Sequence, residues 1–275
     1  MRGALIHAIL ATVLAGATLS AEAAPVRADG RVDARYKLSI AGLELGRATF
    51  LIEVKQKSYV ASGSARITGV LQAISTGKGT AGARGTLARD GLSPEAFTMQ
   101  AVSDKKDESI RLSIAGNAVK SAEVTPPVKD SDDRVPVSDG DRKGVLDPMT
   151  AALMLVPGKG NLVTPESCNR TVPIFDGRQR YDLALTYART EDVKAEEGGY
   201  SGPSLVCRVA YRPISGHRPD RAAVKYMMKN KDILVWLVPI PGTRLLAPFR
   251  ASVATAIGTA QLEAVSFTTS GTPGD

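Results

Sequence analysis

Few residues in this chain have the types and spacing to do chemistry. His217 is one of only two histidines, the other being His7 near the N-terminus. In the run His217-Arg218-Pro219-Asp220 an imidazole sits close to a carboxylate, as a general base would sit beside its orienting acid. No G-x-S-x-G nucleophile elbow accompanies it, and a histidine in a surface turn is the simpler reading. Paired carboxylates for glycoside hydrolysis would draw first on Asp176 and Asp182. Asp176, however, is followed by Gly177, and Asp-Gly reads as a turn. Cys168 and Cys207 are the only cysteines. With His217 they fall short of a zinc ligand set. Asp139-Gly140-Asp141 departs from the calcium-loop pattern. Gly77, Gly79 and Gly82 match G-x-G-x-x-G, but the strand, helix and distal acid that give the motif its meaning do not surround them. A bulged strand with close backbone packing explains those glycines better. These residues assign no catalytic group, no metal site and no cofactor.

The N-terminus reads as an export signal. Arg2 supplies the positive charge, residues 4–19 are mostly apolar, and Ala21-Glu22-Ala23 is an A-x-A cleavage site. Removing residues 1–23 leaves the formal charge at +7. A basic protein meets anionic partners, although charge spread over a long chain also reads as an ordinary soluble surface. No later run has the length and apolarity to span a membrane. In an oxidising compartment two cysteines pair by default. A bridge closing a loop of about 40 residues contributes on the order of 4 kcal/mol in the chain-entropy picture.

The elements that must position these residues are strands. Residues 32–40 alternate strictly, with Val32, Ala34, Tyr36, Leu38 and Ile40 on one face. Strands at 43–54 and 57–67 follow after short turns, which predicts an antiparallel meander. The third has small inward residues, Ala61, Gly63 and Ala65. Residues 68–76 break the alternation as a short helix or a broken strand edge. Further strands surround Phe97, Ile110 and Val119, so the meander covers 32–124. A polar connection, 125–144, leads to Asp147-Pro148, an N-cap followed by a proline suited to the first helical position. The spacing predicts a short buried helix at 147–156, apolar nearly all round. Next come strands at 168–268. Arg178, Arg180, Arg208 and Arg212 fall on one sheet face if their strands pair, and form the candidate anion-facing patch. Residues 233–238 are apolar on both faces, so one face meets the core and the other a second layer. Leu234, Trp236 and Val238 are the candidate apolar lining. Pro248 suggests an edge or a bulge. The tail, 271–275, is expected to be flexible.

The run D-P-M-T-A-A-L, then Cys168, P-I-F-D-G-R-Q-R-Y-D-L, Cys207 and Y-R-P-I-S-G-H resembles the domain-of-unknown-function family 3108 of exported bacterial proteins. The resemblance implies a periplasmic, β-rich, strongly curved fold and transfers no catalytic residue. The expected architecture is all-β and mainly antiparallel, a roll, spiral or open barrel of ten to thirteen strands in one domain, 24–270. The expected function is non-catalytic: binding of a lipid or an anionic envelope polymer in support of envelope maintenance. The alternatives are a structural or interaction protein and a cell-wall or polysaccharide hydrolase. A monomer is expected, with no nucleic-acid partner and no transmembrane anchor.

Overall fold

The computed structural model describes residues 28–69, 72, 76–104, 106–129 and 131–272. The expected signal peptide, most of the break expected at 68–76 and residues 273–275 of the expected tail lie outside the described residues. Among these residues the strands are β1 (Ala28–Ile40), β2 (Leu43–Gln56), β3 (Ser58–Ile67), β4 (Lys78–Leu87), β5 (Leu92–Ser103), β6 (Lys106–Ala115) and β7 (Ala118–Thr125). Then come α1 (Pro148–Ala151), β8 (Met154–Leu155), α2 (Pro165–Cys168), β9 (Arg170–Phe175), β10 (Arg180–Lys194) and β11 (Ser201–Ser215). The chain ends with α3 (Ala222–Lys229), β12 (Ile233–Pro239), β13 (Leu245–Thr255) and β14 (Gly258–Thr272). The last strand runs two residues into the expected tail.

Alternation makes these segments strands. On β1, Val32, Ala34 and Tyr36 are buried while Arg31, Asp33 and Arg35 are exposed. All the strands join one antiparallel sheet in the order β7-β6-β5-β4-β3-β2-β1-β14-β13-β12-β11-β10-β9, with β8 added beside β13. The first and last strands therefore pair in the middle of the sheet, and the two halves of the chain spread to either side. The fold is all-β, antiparallel and open, as the alternation predicts, with fourteen strands when the two-residue β8 is counted.

The edge strands β7 and β9 do not pair with each other. The connection before α1 bridges them instead. Val145 N donates to Asn117 O at 3.0 Å, Leu146 N donates to Pro173 O at 2.9 Å, and Phe175 N donates to Leu146 O at 2.9 Å. This satisfies edge groups that would otherwise template another chain. The turn between β9 and β10 seals the same gap. Gly177 has φ +94°, and a Cβ there would lie 2.7 Å from Ile110 Cγ2, so only glycine fits.

The helix expected at 147–156 is corrected. Asp147 does cap it, accepting from Met149 N and Thr150 N, but α1 is a single turn. Met154 and Leu155 then pair with Leu246 and Leu245 of β13. Leu153 and Leu155 pack into one core cluster, Met154 and Val156 into another. An apolar run between two cores looks apolar all round whether it is helix or strand, and here the free edge of β13 decides the matter.

Three clusters make up the interior. The largest joins Val32, Tyr36, Ile52 and Tyr59 to Trp236, Val238, Phe249 and Phe267. The second lies on the other face of β11 and β12, around Cys168, Leu205, Cys207, Val209 and Leu237. The third lies under β4–β7, where Phe97, Ile110 and Leu112 meet Val145 and Phe175. β12 thus has core on both faces, as its double apolarity requires. At Pro248 the β12–β13 register shifts, consistent with a bulge.

Candidate functional site

Cys168 and Cys207 form a disulfide with their Cα atoms 5.6 Å apart. It ties α2 to β11 inside the second cluster, where both residues are fully buried.

Of the four arginines expected on one face, two are engaged by local acceptors. Arg180 is turned onto its neighbour Asp182, with Nη2 2.7 Å from Oδ1, and both side chains are mostly buried. Arg178 lies in the turn before β10, and its guanidinium donates to Thr125 O and Pro126 O. Arg208 and Arg212 remain outward on β11, opposite Thr186 and Asp182. Local hydrogen-bond acceptors engage two of the four cations.

Leu234, Trp236 and Val238 do not line the cavity described below. Trp236 is 5% exposed and Val238 fully buried, because both pack into the largest core cluster. The indole sits between the Arg189 and Arg250 guanidinium groups, 5.5 and 5.2 Å from its ring. It donates Nε1–H to Glu191 at 2.5 Å. Burial opposes the Glu191 charge, yet the Trp236 and Arg189 hydrogen bonds prevail and hold its carboxyl below the usual range.

The carboxylate candidates are separately engaged, and His217 Nδ1 is buried without a hydrogen-bond partner among the described residues. His217 is 8% exposed rather than on the surface, because the connection around Val135 crosses over it, with Val135 N donating to His217 O. Asp220 pairs with Lys225 at 2.9 Å. Asp176 accepts from Arg178 N and Gln179 N, as its turn requires. Gly79 and Gly82 lie on β4, laddered on both sides by β3 and β5.

A different group of residues does converge. By register, Arg35 stands opposite Thr49, Thr49 opposite Ser64, Ser64 opposite Thr80, and Thr80 opposite Gln100. In the adjacent row on the same face, Arg47 stands opposite Arg66, Arg66 opposite Lys78, and Lys78 opposite Val102. Neighbouring strands are about 4.8 Å apart, so Arg47, Arg66 and Lys78 form a cationic ladder. Like charges directly opposite one another destabilise a sheet, so sheet stability does not account for it. A cavity of about 640 Å³ lies along these rows, lined by Arg35, Arg47, Arg66, Lys78, Ser64 and Gln100 among others.

The one carboxylate lining this cavity is Glu197. It is carried by the β10–β11 loop, which docks on β14: Glu197 N donates to Val265 O at 2.6 Å and Tyr200 N to Phe267 O at 2.7 Å. Gly199, at φ +106°, permits this, since a Cβ there would fall 2.2 Å from Phe267 O. Glu197 reaches Arg35 at 3.1 Å and Arg47 at 3.9 Å. Arg47 also holds Glu44 at 2.9 Å, and its hydrogen bond draws that carboxyl below the usual range. Among the described residues neither Arg66 nor Lys78 has an ion-pair partner. The groove therefore offers an anion two free cations beside a row of hydroxyl and amide groups.

Among the small residues noted in the sequence, Ala65 and Gly79 border this cavity. The ladder itself emerges when β1–β5 are placed in register, which no single strand reveals.

Comparison with known proteins places the fold. A search of the curated proteins found no match. Among solved structures, the chain is similar to a β-barrel-like protein of domain of unknown function DUF1849 from Brucella abortus. The two share 12% sequence identity with a TM-score of 0.51, over 89% of this chain and 99% of that one. At that identity the likeness concerns the fold alone. The model of the family described as protein of unknown function (DUF3108) matches residues 35–265, and the chain belongs to that family.

Proposed function

We propose that the chain is an exported, non-catalytic binding protein of the periplasm whose basic groove on β1–β5 holds an anionic component of the envelope. The observation that carries this reading is the Arg47–Arg66–Lys78 ladder along a cavity of about 640 Å³. Stacked like charges cost folding energy, and a bound anion offsets that cost through charge-assisted hydrogen bonds. The hydroxyl and amide row beside it fits a polar group carrying the anion. The buried disulfide and the N-terminal signal pattern agree with an oxidising compartment. No helix among the described residues is long and apolar enough to cross a membrane. Envelope maintenance is the role that follows from such binding in that place.

The test is a titration of the chain from residue 24 onward with glycerol phosphate and with uncharged glycerol, followed by NMR. The anion is expected to bind with an affinity that falls as salt rises, and glycerol to leave the spectrum unchanged. Arg66→Glu with Lys78→Glu abolishes binding while the fold persists. Equal response to the uncharged probe, or an unaffected double variant, overturns the reading.

A further inference from the structure

Large apolar side chains are left in water at one end of the sheet. β1 turns into β2 there through Ala41 and Gly42, and β13 turns into β14 through Ala256 and Ile257. The two turns touch. Ala41 N donates to Thr259 O at 3.0 Å, and a Cβ on Gly258 would lie 2.7 Å from that of Ala41. These adjoining tips carry Leu43, 59% exposed, and Ile257, 76% exposed. α3 leads into β12 at the same end and is tied to the same strand end. Tyr226 Oη and Asn230 Nδ2 donate to Ala254 O at 3.1 and 2.9 Å, and Ala254 N donates to Asp232 O at 3.0 Å.

α3 rests on the sheet by a narrow stripe. Val224 and Met227 are half-buried, and Met227 packs against the second cluster. No residue of the helix is fully buried. Tyr226 and Met228 flank that stripe and are both exposed, although a helix lying on a core ordinarily turns polar groups to water. The rest of its surface is basic. Residues 221–232 hold Arg221, Lys225, Lys229 and Lys231 against a single acid, Asp232. Lys225 pairs with Asp220. Among the described residues Lys229 and Lys231 have no ion-pair partner. Glu44, beside Leu43 in the chain, is already held by Arg47 and Thr68. The exposed apolar groups therefore lie next to free positive charge.

From this arrangement we infer that this end of the sheet docks on the surface of an anionic lipid bilayer. Leu43 and Ile257 enter between the headgroups, the Tyr226 ring lies at headgroup level, and Lys229 and Lys231 meet the lipid phosphates. The chemistry of each group fits its place. Tyrosine is amphipathic and belongs at a membrane–water boundary, lysine reaches anionic headgroups on a long stem, and an apolar tip gains by leaving water. Neither kind of group holds a protein on a membrane alone, since stable attachment takes apolar insertion and a basic patch together. The apolar groups stand on two separate turns and a short helix. A bilayer accepts such single projecting side chains as they are, whereas a protein partner needs a closely complementary face. These residues lie outside the groove, so the inference does not depend on the anion-binding reading above.

The experiment is sedimentation of the chain from residue 24 onward with two kinds of vesicle, one of phosphatidylcholine and one of phosphatidylcholine and phosphatidylglycerol in equal parts. The native chain is expected to bind the anionic vesicles roughly tenfold more tightly, with an affinity that falls as salt rises. Leu43→Asp with Ile257→Asp, which changes only exposed tips, is expected to lose roughly tenfold in affinity for the anionic vesicles. Lys229→Glu with Lys231→Glu is expected to lose about as much. Thermal unfolding checks both pairs, and a folding failure in one leaves the other readable. Absence of binding to the anionic vesicles, or native binding by both pairs, overturns the inference. Vesicle binding that Arg66→Glu with Lys78→Glu abolishes and both other pairs retain means that the groove grips a headgroup, which overturns the docking surface and leaves the groove reading standing. A dimer that Ile257→Asp dissolves in the ultracentrifuge, without vesicle binding, makes this end an interface between copies and overturns it too. If the native chain ignores glycerol phosphate yet binds anionic vesicles through Leu43 and Ile257, the groove reading fails and the docking surface stands.

Discussion

Arg66 and Lys78 face each other across β3 and β4 without a counterion among the described residues, whereas elsewhere on the sheet Arg31 is matched with Glu53, Arg250 with Glu263, and Arg180 with Asp182. Glu197 partly neutralises the same groove through Arg35 and Arg47. Removing its charge therefore favours an incoming anion. Glu197→Gln is expected to tighten glycerol phosphate binding roughly threefold, the effect of an exposed pair worth about 0.7 kcal/mol. Calorimetric titration measures it, and a weaker affinity would mean that Glu197 itself contacts the ligand. Little of this was legible residue by residue. Strand alternation puts Arg178, Arg180, Arg208 and Arg212 outward and so suggests anion contacts there. Alternation does not say which outward cation finds a local acceptor, and Asp182, Thr125 and Pro126 took two of them.

Single elements were legible wherever one face met core and the other met water. Residues 32–36 came out as predicted because Val32, Ala34 and Tyr36 are buried while Asp33 and Arg35 are exposed; past the register shift after Leu38 it is Ser39 that is buried, not Leu38 or Ile40. Residues 153–156 misled because both faces meet core, which erases the periodic signal. The cap itself was legible. Asp147 ends the strap that seals the sheet and starts α1, and it accepts a hydrogen bond from Thr150 Oγ1 at 2.6 Å, the same hydroxyl that bonds Tyr59 Oη at 2.7 Å. Burial dominates its titration and raises its carboxyl above the usual 3.8, against the opposing hydrogen bonds from Thr150 and Met149. The sign follows. With the folded value above the unfolded one, the favourable contribution is present below about pH 4 and is lost as pH rises through the folded value. Asp147→Asn removes that dependence. Urea unfolding from pH 4 to pH 7 is expected to show the native chain losing stability relative to Asp147→Asn as pH rises. A constant difference would mean that the carboxyl is not desolvated.

On the scale of the whole molecule, the chain pairs its first and last strands in the middle of one open sheet, straps the two edges together through residues 143–146, and staples α2 to β11. The fold class was readable because strand alternation and short turns recur along the chain. The closure was not, because it depends on contacts between residues far apart, such as Asn117 with Val145 and Pro173 with Leu146. The staple joins residues 39 apart in sequence. Opening a loop of that size costs about 2–4 kcal/mol, so urea unfolding with reductant is expected to shift to lower denaturant by that amount. An unchanged midpoint would mean that the bridge constrains nothing. The central claim concerns the groove, and one comparison tests it most directly: titration of the native chain and of the Arg66→Glu, Lys78→Glu variant with glycerol phosphate at low and high salt. The account predicts salt-sensitive binding by the native chain and none by a variant that still folds; equal binding by both would contradict it.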